Sequence, residues 1–256
     1  MSYKYWDDFV AAWSRGAKNY YGWIDPDGTP LYNNSATKDL SSLFIPEPWW
    51  GNDGSRPLHS VVINYNPGMG NSYQKAGCVG KVSSYAKDIV YSSKFEKTQQ
   101  WHSKNRALPI LKSLNRISSI KTPFCLENHL SIELIPWHTL KADKSYWDYV
   151  KANPKAIYDN VISFAANEAS RIENSKLKNV ALLRMSGTNT LKLLSILGQD
   201  PKQAVTRCGN TGSSKTEFVE FRLPKLSGTR FISFWGRSIR NGMPSASEID
   251  NLLCLI

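Results

Sequence analysis

A chain of 256 residues is long enough for one large domain or two small ones with a sizeable core. Hydrophobic residues at 41% and charged residues at 21% exclude a disordered chain. Lys and Arg number 32 against 21 Asp and Glu, and the formal charge of +11 favours a polyanionic partner, either nucleic acid or an anionic surface. No apolar run approaches the ~20 residues of a membrane span, and the polar start Met1-Ser2-Tyr3-Lys4 is unlike a secretory signal. The expected location is therefore the cytoplasm, with no membrane partner.

The spacing of Tyr5, Trp6, Phe9, Val10 and Trp13 predicts an amphipathic helix over 3–15, stopped by Gly16. Residues 20–57, rich in Gly, Pro, Asn, Asp and aromatics, read as a long loop pinned by buried rings. Residues 58–65 form a short apolar run, a buried strand that ends abruptly at Asn66-Pro67-Gly68. A basic helical region follows over about 79–119, with Lys81, Lys97, Arg106 and Arg116 among its cations and Tyr85, Tyr91, Trp101 and His102 between them. Such a stretch reads either as a solvated helix face or as a surface that tracks a phosphate backbone.

Residues 130–135 are a second strand, closed by Pro136-Trp137-His138-Thr139. A helix over 154–174 presents Ile157, Val161, Ile162, Phe164, Ala165 and Ile172 as its apolar face. A third strand over 180–185 ends at Ser186-Gly187-Thr188, before a short helix over 190–197. Strands over 217–223 and 230–235 follow, and a helix over 247–253 closes the chain with Ser247 as its cap. Strands alternate with helices, and several strands are continuous apolar runs. That pattern predicts one α/β domain over 1–256, with three layers, a mostly parallel central sheet, and residues 1–57 packed on the core.

Cys78, Cys125, Cys208 and Cys254 lie far apart and read as free, mostly buried thiols. His129 and His138 share a short window with Glu127 and Glu133, but their spacing matches no metal motif, and neither a metal nor a cofactor is expected.

In open α/β sheets, ligands bind beyond the carboxyl ends of the strands. Four strand ends here mix turn formers with polar side chains: Asn64-Tyr65-Asn66-Pro67-Gly68, Pro136-Trp137-His138-Thr139, Ser186-Gly187-Thr188-Asn189, and Gly236-Arg237-Ser238-Ile239-Arg240-Asn241-Gly242. Each alone is explained by an ordinary strand-to-helix turn. Four on one rim of a basic protein read as a binding cleft.

The run Val61-Val62-Ile63-Asn64-Tyr65-Asn66-Pro67-Gly68 resembles the first active-site motif of the uracil-DNA glycosylase superfamily. It looks most like the mismatch-specific branch, in which a strand ends in Gly-Ile-Asn-Pro-Gly. Asn66, Pro67 and Gly68 match residue by residue, Asn64 stands at the family's first Gly, and the order of elements is similar over about 58–253. The resemblance implies a uracil-DNA glycosylase-like fold, with Asn66 positioning the water that attacks the anomeric carbon of a flipped nucleotide. It implies a base-recognition loop after the second strand, where Trp137 and His138 stand, the ring suited to stacking on a base. The family's last motif, usually His-Pro-Ser-like, is replaced here by the stretch from Trp235 to Pro244, in which Arg237, Ser238 and Arg240 would grip phosphate or sugar. Tyr65, Pro67, Gly68, Ser186 and Asn241 complete the expected substrate-binding set, with Asn66 and His138 as the catalytic pair.

Two other motifs lead elsewhere. Gly209-Asn210-Thr211-Gly212-Ser213-Ser214-Lys215-Thr216 nearly spells a P-loop, but Ser214 occupies the required glycine and the residues after Thr216 read as strand. Ser186-Gly187-Thr188 lacks the Gly-x-Ser-x-Gly elbow of a nucleophilic serine. The expected activity is monofunctional hydrolysis of an N-glycosidic bond in nucleic acid, DNA in preference to RNA. The competing expectation is a nucleic-acid- or nucleotide-binding module whose glycosylase-like site is degenerate.

Overall fold

The computed structural model describes residues 19–20, 23–24, 49–52, 56–65, 128–136, 144–173, 177–210, 216–236, 251–252 and 254. Nine strands lie among them. β1 (Asn19–Tyr20) and β2 (Trp23–Ile24) form a small antiparallel ribbon. The other seven make one sheet: β3 (Trp49–Gly51), β4 (Ser60–Asn64), β5 (His129–Glu133), β6 (Val180–Leu183), β7 (Val205–Asn210), β8 (Thr216–Phe221) and β9 (Arg230–Gly236), in the order β3-β5-β4-β6-β9-β8-β7.

The α/β class holds, but the sheet is mixed and not mostly parallel. β5, β4, β6 and β9 run parallel to one another, whereas β3 joins one side antiparallel and β8 and β7 extend the other side antiparallel. The physical reason is connection length. The chain between β7 and β8 (211–215) and between β8 and β9 (222–229) is too short for a crossover, while the four parallel strands are separated by long ones. Every residue of β4, β5 and β6 is buried, which explains the unbroken apolar runs Val61–Ile63 of β4 and Val180–Leu183 of β6.

The helices are α1 (Lys144–Ala152), α2 (Pro154–Ile157), α3 (Ser163–Ser170), α4 (Gly187–Ile196) and α5 (Pro201–Ala204). A π-helical turn, Tyr158–Ile162, joins α2 to α3, so the helix expected from 154 to about 174 is present with one inserted irregularity but ends at Ser170. Its apolar positions Ile157, Val161, Ile162, Ala165 and Ile172 are buried. α3 packs on β4 and β6, and α4 on β8 and β9. α1 had no expectation of its own: its buried stripe is only Tyr146, Trp147 and Val150, too short for a periodicity to stand out. β7 was missed because it is the sheet edge, with five of its six residues exposed and no apolar alternation.

Two further expectations change. Residues 20–57 do carry the buried rings Trp23 and Trp49, yet they also supply part of the β1–β2 ribbon and the edge strand β3. Cys208 and Cys254 are exposed, not buried, Cys208 because it sits on the edge strand. Cys78, Cys125 and the predicted helices over 3–15 and about 79–119 lie outside the described residues. Of the closing helix, Asn251, Leu252 and Cys254 are described as helical, with Leu252 buried in the core. The strand over Thr216–Phe221 follows the near P-loop, so no helix opens there as a P-loop requires.

Candidate functional site

Among the parallel strands the chain moves from β4 to β5 on one side and then to β6 and β9 on the other. Connections that leave neighbouring strands in opposite directions open a crevice beyond their carboxyl ends, the topological switch point. Here it falls between the ends of β4 and β6. The residues on its walls are Tyr65, directly after β4, and the Arg184-Met185-Ser186 turn that leads from β6 into α4. β9 ends at the same rim, and β8, being antiparallel, begins there, with Thr216 opposite Gly236 and Glu217 opposite Trp235.

Tyr65 is the centre of this rim. Its half-buried ring meets Tyr146, Trp147 and Trp235 edge-on, with centroids 5.9, 6.5 and 5.7 Å away, the geometry that aromatic quadrupoles prefer. Tyr146, fully buried, donates its hydroxyl to the Tyr65 carbonyl at 2.9 Å. The Tyr65 hydroxyl accepts from Asn189 Nδ2 at 2.6 Å, and Ser186 stands beside it and favours its ionised form. Burial pushes the Tyr65 hydroxyl above its ordinary pKa, and the nearby Glu217 charge adds to the rise against those hydrogen bonds. Tyr65 is therefore a neutral, fixed hydroxyl near pH 7.

The amino end of α4 faces this hydroxyl, and its backbone donors Gly187 N and Asn189 N are engaged within the molecule. Ser186, extended at the N-cap position, accepts from Asn189 N at 3.4 Å. Gly187 N donates to Glu217 Oε1 at 2.9 Å. A carboxylate at a helix amino end is favoured by the helix dipole. A Cβ on Gly187 would crowd Val219 Cγ2 at 3.2 Å, while Glu217 Oε1 at 3.9 Å would be in ordinary contact with it. Behind this wall, Lys192 Nζ lies 4.4 Å from the centre of the Trp147 ring. Burial, with Lys151 as a like-charged neighbour, lowers the Lys192 ammonium below its usual pKa.

The sheet face opposite Glu217 and Val219 carries a buried polar row on β4 and β5. Cross-strand partners share a face, and the register sets Ser60, Val62 and Asn64 beside His129, Ser131 and Glu133. Ser60 Oγ is 2.7 Å from His129 Nδ1, and Asn64 Nδ2 donates to Ser131 Oγ at 2.6 Å. Burial lowers the His129 pKa to about 4, so the ring is neutral near pH 7.

Of the residues expected at the site, Tyr65 and Ser186 are described, and they are in contact. Asn66, Pro67, Gly68, Trp137, His138, Arg237, Ser238, Arg240 and Asn241 lie outside the described residues. Each continues a described strand end: Asn66 follows Tyr65, Trp137 follows Pro136, and Arg237 follows Gly236. Asn189, Trp235 and Glu217 belong to the rim but were not among the expected site residues. For Asn189 and Trp235 the signal was present, since both stand in the turn sequences already singled out. Glu217 gave none, because its place at the rim depends on β8 running antiparallel.

Among the described residues, no three His, Cys, Asp or Glu side chains gather to hold a metal, and no helix is long and apolar enough to cross a membrane. No protein-family model, curated protein or solved structure matches this chain.

Proposed function

We infer that this protein binds nucleic acid at the carboxyl rim of its parallel strands and hydrolyses the N-glycosidic bond of a flipped base. The observation that carries the reading is the topological switch point between β4 and β6, because Asn66-Pro67-Gly68 is the sequence that follows β4 there. In this reading the fold is uracil-DNA glycosylase-like and Asn66 orients the attacking water. Trp137 and His138 hold the base, while Arg237, Ser238 and Arg240 contact phosphate or sugar. Pro67 and Gly68 shape the water-bearing turn, Tyr65 and Ser186 form the wall between the β4 and β6 ends, and Asn241 adds a polar contact. The +11 charge supports a polyanionic substrate.

A second reading keeps the fold and the partner but not the reaction, leaving a nucleic-acid- or nucleotide-binding module. One observation favours it: Asn189 Nδ2 and Gly187 N at the amino end of α4 already serve Tyr65 and Glu217. The test is base release from labelled DNA carrying uracil, hypoxanthine or mismatches, at low salt, with wild type beside Asn66→Ala. Release that collapses in the variant establishes hydrolysis and the role of Asn66. Salt-sensitive binding without release selects the binding module. Neither release nor binding overturns both readings.

A further inference from the structure

Two helices meet at the aromatic wall of the crevice, and each brings a lysine to it. On α4, Asn189 and Lys192 are three residues apart and so share a face. Asn189 Nδ2 donates to the Tyr65 hydroxyl at 2.6 Å, and Lys192 Nζ lies 4.4 Å from the centre of the Trp147 ring. On α1, Trp147 and Lys151 are four residues apart and share a face in the same way. Trp147 is thereby a neighbour of both lysines, and it meets Tyr65 edge-on at 6.5 Å. Lys192 is half-buried, Lys151 is exposed, and the two repel each other. Asp148 also acts on both, but its carboxylate is tied to Lys144. Among the described residues neither Lys151 nor Lys192 has an ion pair. Three ammonium groups therefore face one carboxylate, and an anion seated between Lys151 and Lys192 would remove their repulsion.

We propose that Lys151 and Lys192 together hold one phosphate of a nucleic-acid backbone beside the switch-point crevice, an inference that rests on the nucleic-acid partner of the reading above. The Trp147 ring takes one side of the Lys192 ammonium. An ammonium has three donors, so the ring steers Lys192 without using up its capacity to bind. Such a contact fixes where the nucleic acid lies and carries no sequence information. Its offset from the crevice is set by α4, on which Lys192 follows the Asn189 tie to Tyr65 by one turn. Two cations beside a single ring suit one phosphodiester, whereas an anionic lipid surface is held by clusters of about 4–8 cations.

The test is binding of labelled DNA, as duplex and as single strand, by the full chain, followed by fluorescence anisotropy over a range of salt concentrations. Each lost phosphate contact lowers the slope of log affinity against log salt by about 0.9 on duplex and about 0.7 on single strand. Lys151→Gln combined with Lys192→Gln should therefore lower it by about 1.4–1.8 and weaken binding by about 20–60-fold at ~0.1 M salt. Lys192→Arg keeps the charge and the ring contact and should stay within about threefold of wild type. Lys151 is exposed, and Lys151→Gln alone should give half of the slope change, so a folding defect at Lys192 cannot stand in for the effect. Lys155→Gln combined with Lys202→Gln removes the same charge from exposed positions on α2 and α5 and should leave the slope unchanged. An equal fall in that control shows net charge alone at work and overturns the proposal. An unchanged slope in the Lys151 and Lys192 variant overturns it too, while leaving the nucleic-acid reading intact. Binding to phosphatidylserine vesicles that depends on the pair, where DNA binding does not, assigns the lysines to a lipid surface and overturns the backbone contact. Absence of any DNA binding by wild type overturns the reading and the contact together.

Discussion

The most direct energetic consequence of this fold is a stability that declines in mild acid through one histidine. His129 opens β5 with no exposed surface, its Nδ1 2.7 Å from Ser60 Oγ. Burial lowers its pKa from 6.5 to about 4. Above the unfolded value both states hold a neutral ring, and protons do not favour either. As pH falls from about 6.5 to about 4, the unfolded chain takes up a proton that the folded chain refuses, so folding loses stability. Below about 4 both states are protonated and the loss stops growing. At ~1.4 kcal/mol per pKa unit, the window amounts to about 3 kcal/mol. The assay is urea unfolding of wild type and His129→Asn between about pH 7.5 and about pH 4.5, comparing midpoints at each pH. His59, whose pKa burial also lowers, and the carboxylates are present in both proteins and cancel in the difference. The variant starts less stable, and its deficit should narrow by about 2.5 kcal/mol between those two pH values. Parallel curves would refute the argument that a neutral, desolvated ring sits between β4 and β5.

Three other perturbations test the rim and its supports. Tyr65→Phe leaves the Asn189 amide, 2.6 Å from the lost oxygen, without its partner; a loss of about 1–2 kcal/mol is expected because the half-buried amide can regain water, and an unchanged urea midpoint would contradict it. Glu220→Ala removes a carboxylate that takes both Arg230 Nε and Nη2, at 2.8 and 3.1 Å. The Arg230 side chain is 24% exposed, so the cost should be about 2–3 kcal/mol, less than the ~3–5 of a fully buried pair. Arg230 holds the Glu220 carboxyl below the usual carboxylate range. The stabilisation is therefore present above the unfolded carboxylate pKa and disappears as pH falls through the lower folded value, which thermal melts at both ends would show. Gly187→Ala brings a Cβ to 3.2 Å from Val219 Cγ2 and should destabilise by up to about 1 kcal/mol. In a Val219→Ala background the same change should be neutral, and persistence of the penalty there would exclude that contact as its cause.

The parts of the fold that could be read from the sequence are those where burial imposes a pattern. Val61-Val62-Ile63 and Val180-Ala181-Leu182-Leu183 are covered on both faces, so an unbroken apolar run was the signature of their strands. Ser186 is an N-cap with a side-chain bond to Asn189 N, and cap residues act locally. Strand direction is different in kind. The switch from parallel to antiparallel at β9–β8 depends on the short connection over 222–229 and on the pairing register, which no single residue specifies. The edge strand β7 was lost for the same reason that it stays exposed: no neighbour requires it to be apolar. Burial of His129, Ser131 and Glu133 on one face gave no warning either, because an alternating polar residue in a strand ordinarily marks the solvent side.

The antiparallel extension changes what the rim can do. In a sheet that stayed parallel beyond β9, the next strand would bring its amino end to the opposite edge and leave only backbone turns at the crevice. Because β8 reverses, its first residues arrive beside the last residues of β9, and the pairing of Glu217 with Trp235 sets a carboxylate next to the ring that packs on Tyr65. The parallel half thus supplies the crevice, its aromatic wall and the turns that leave β4, β5 and β6. The antiparallel half supplies a carboxylate, which those turns lack. The Gly187 bond joins the two halves. Displacing Glu217 would therefore act on α4 and Tyr65 together, whereas neutralising it as Gln should leave both in place.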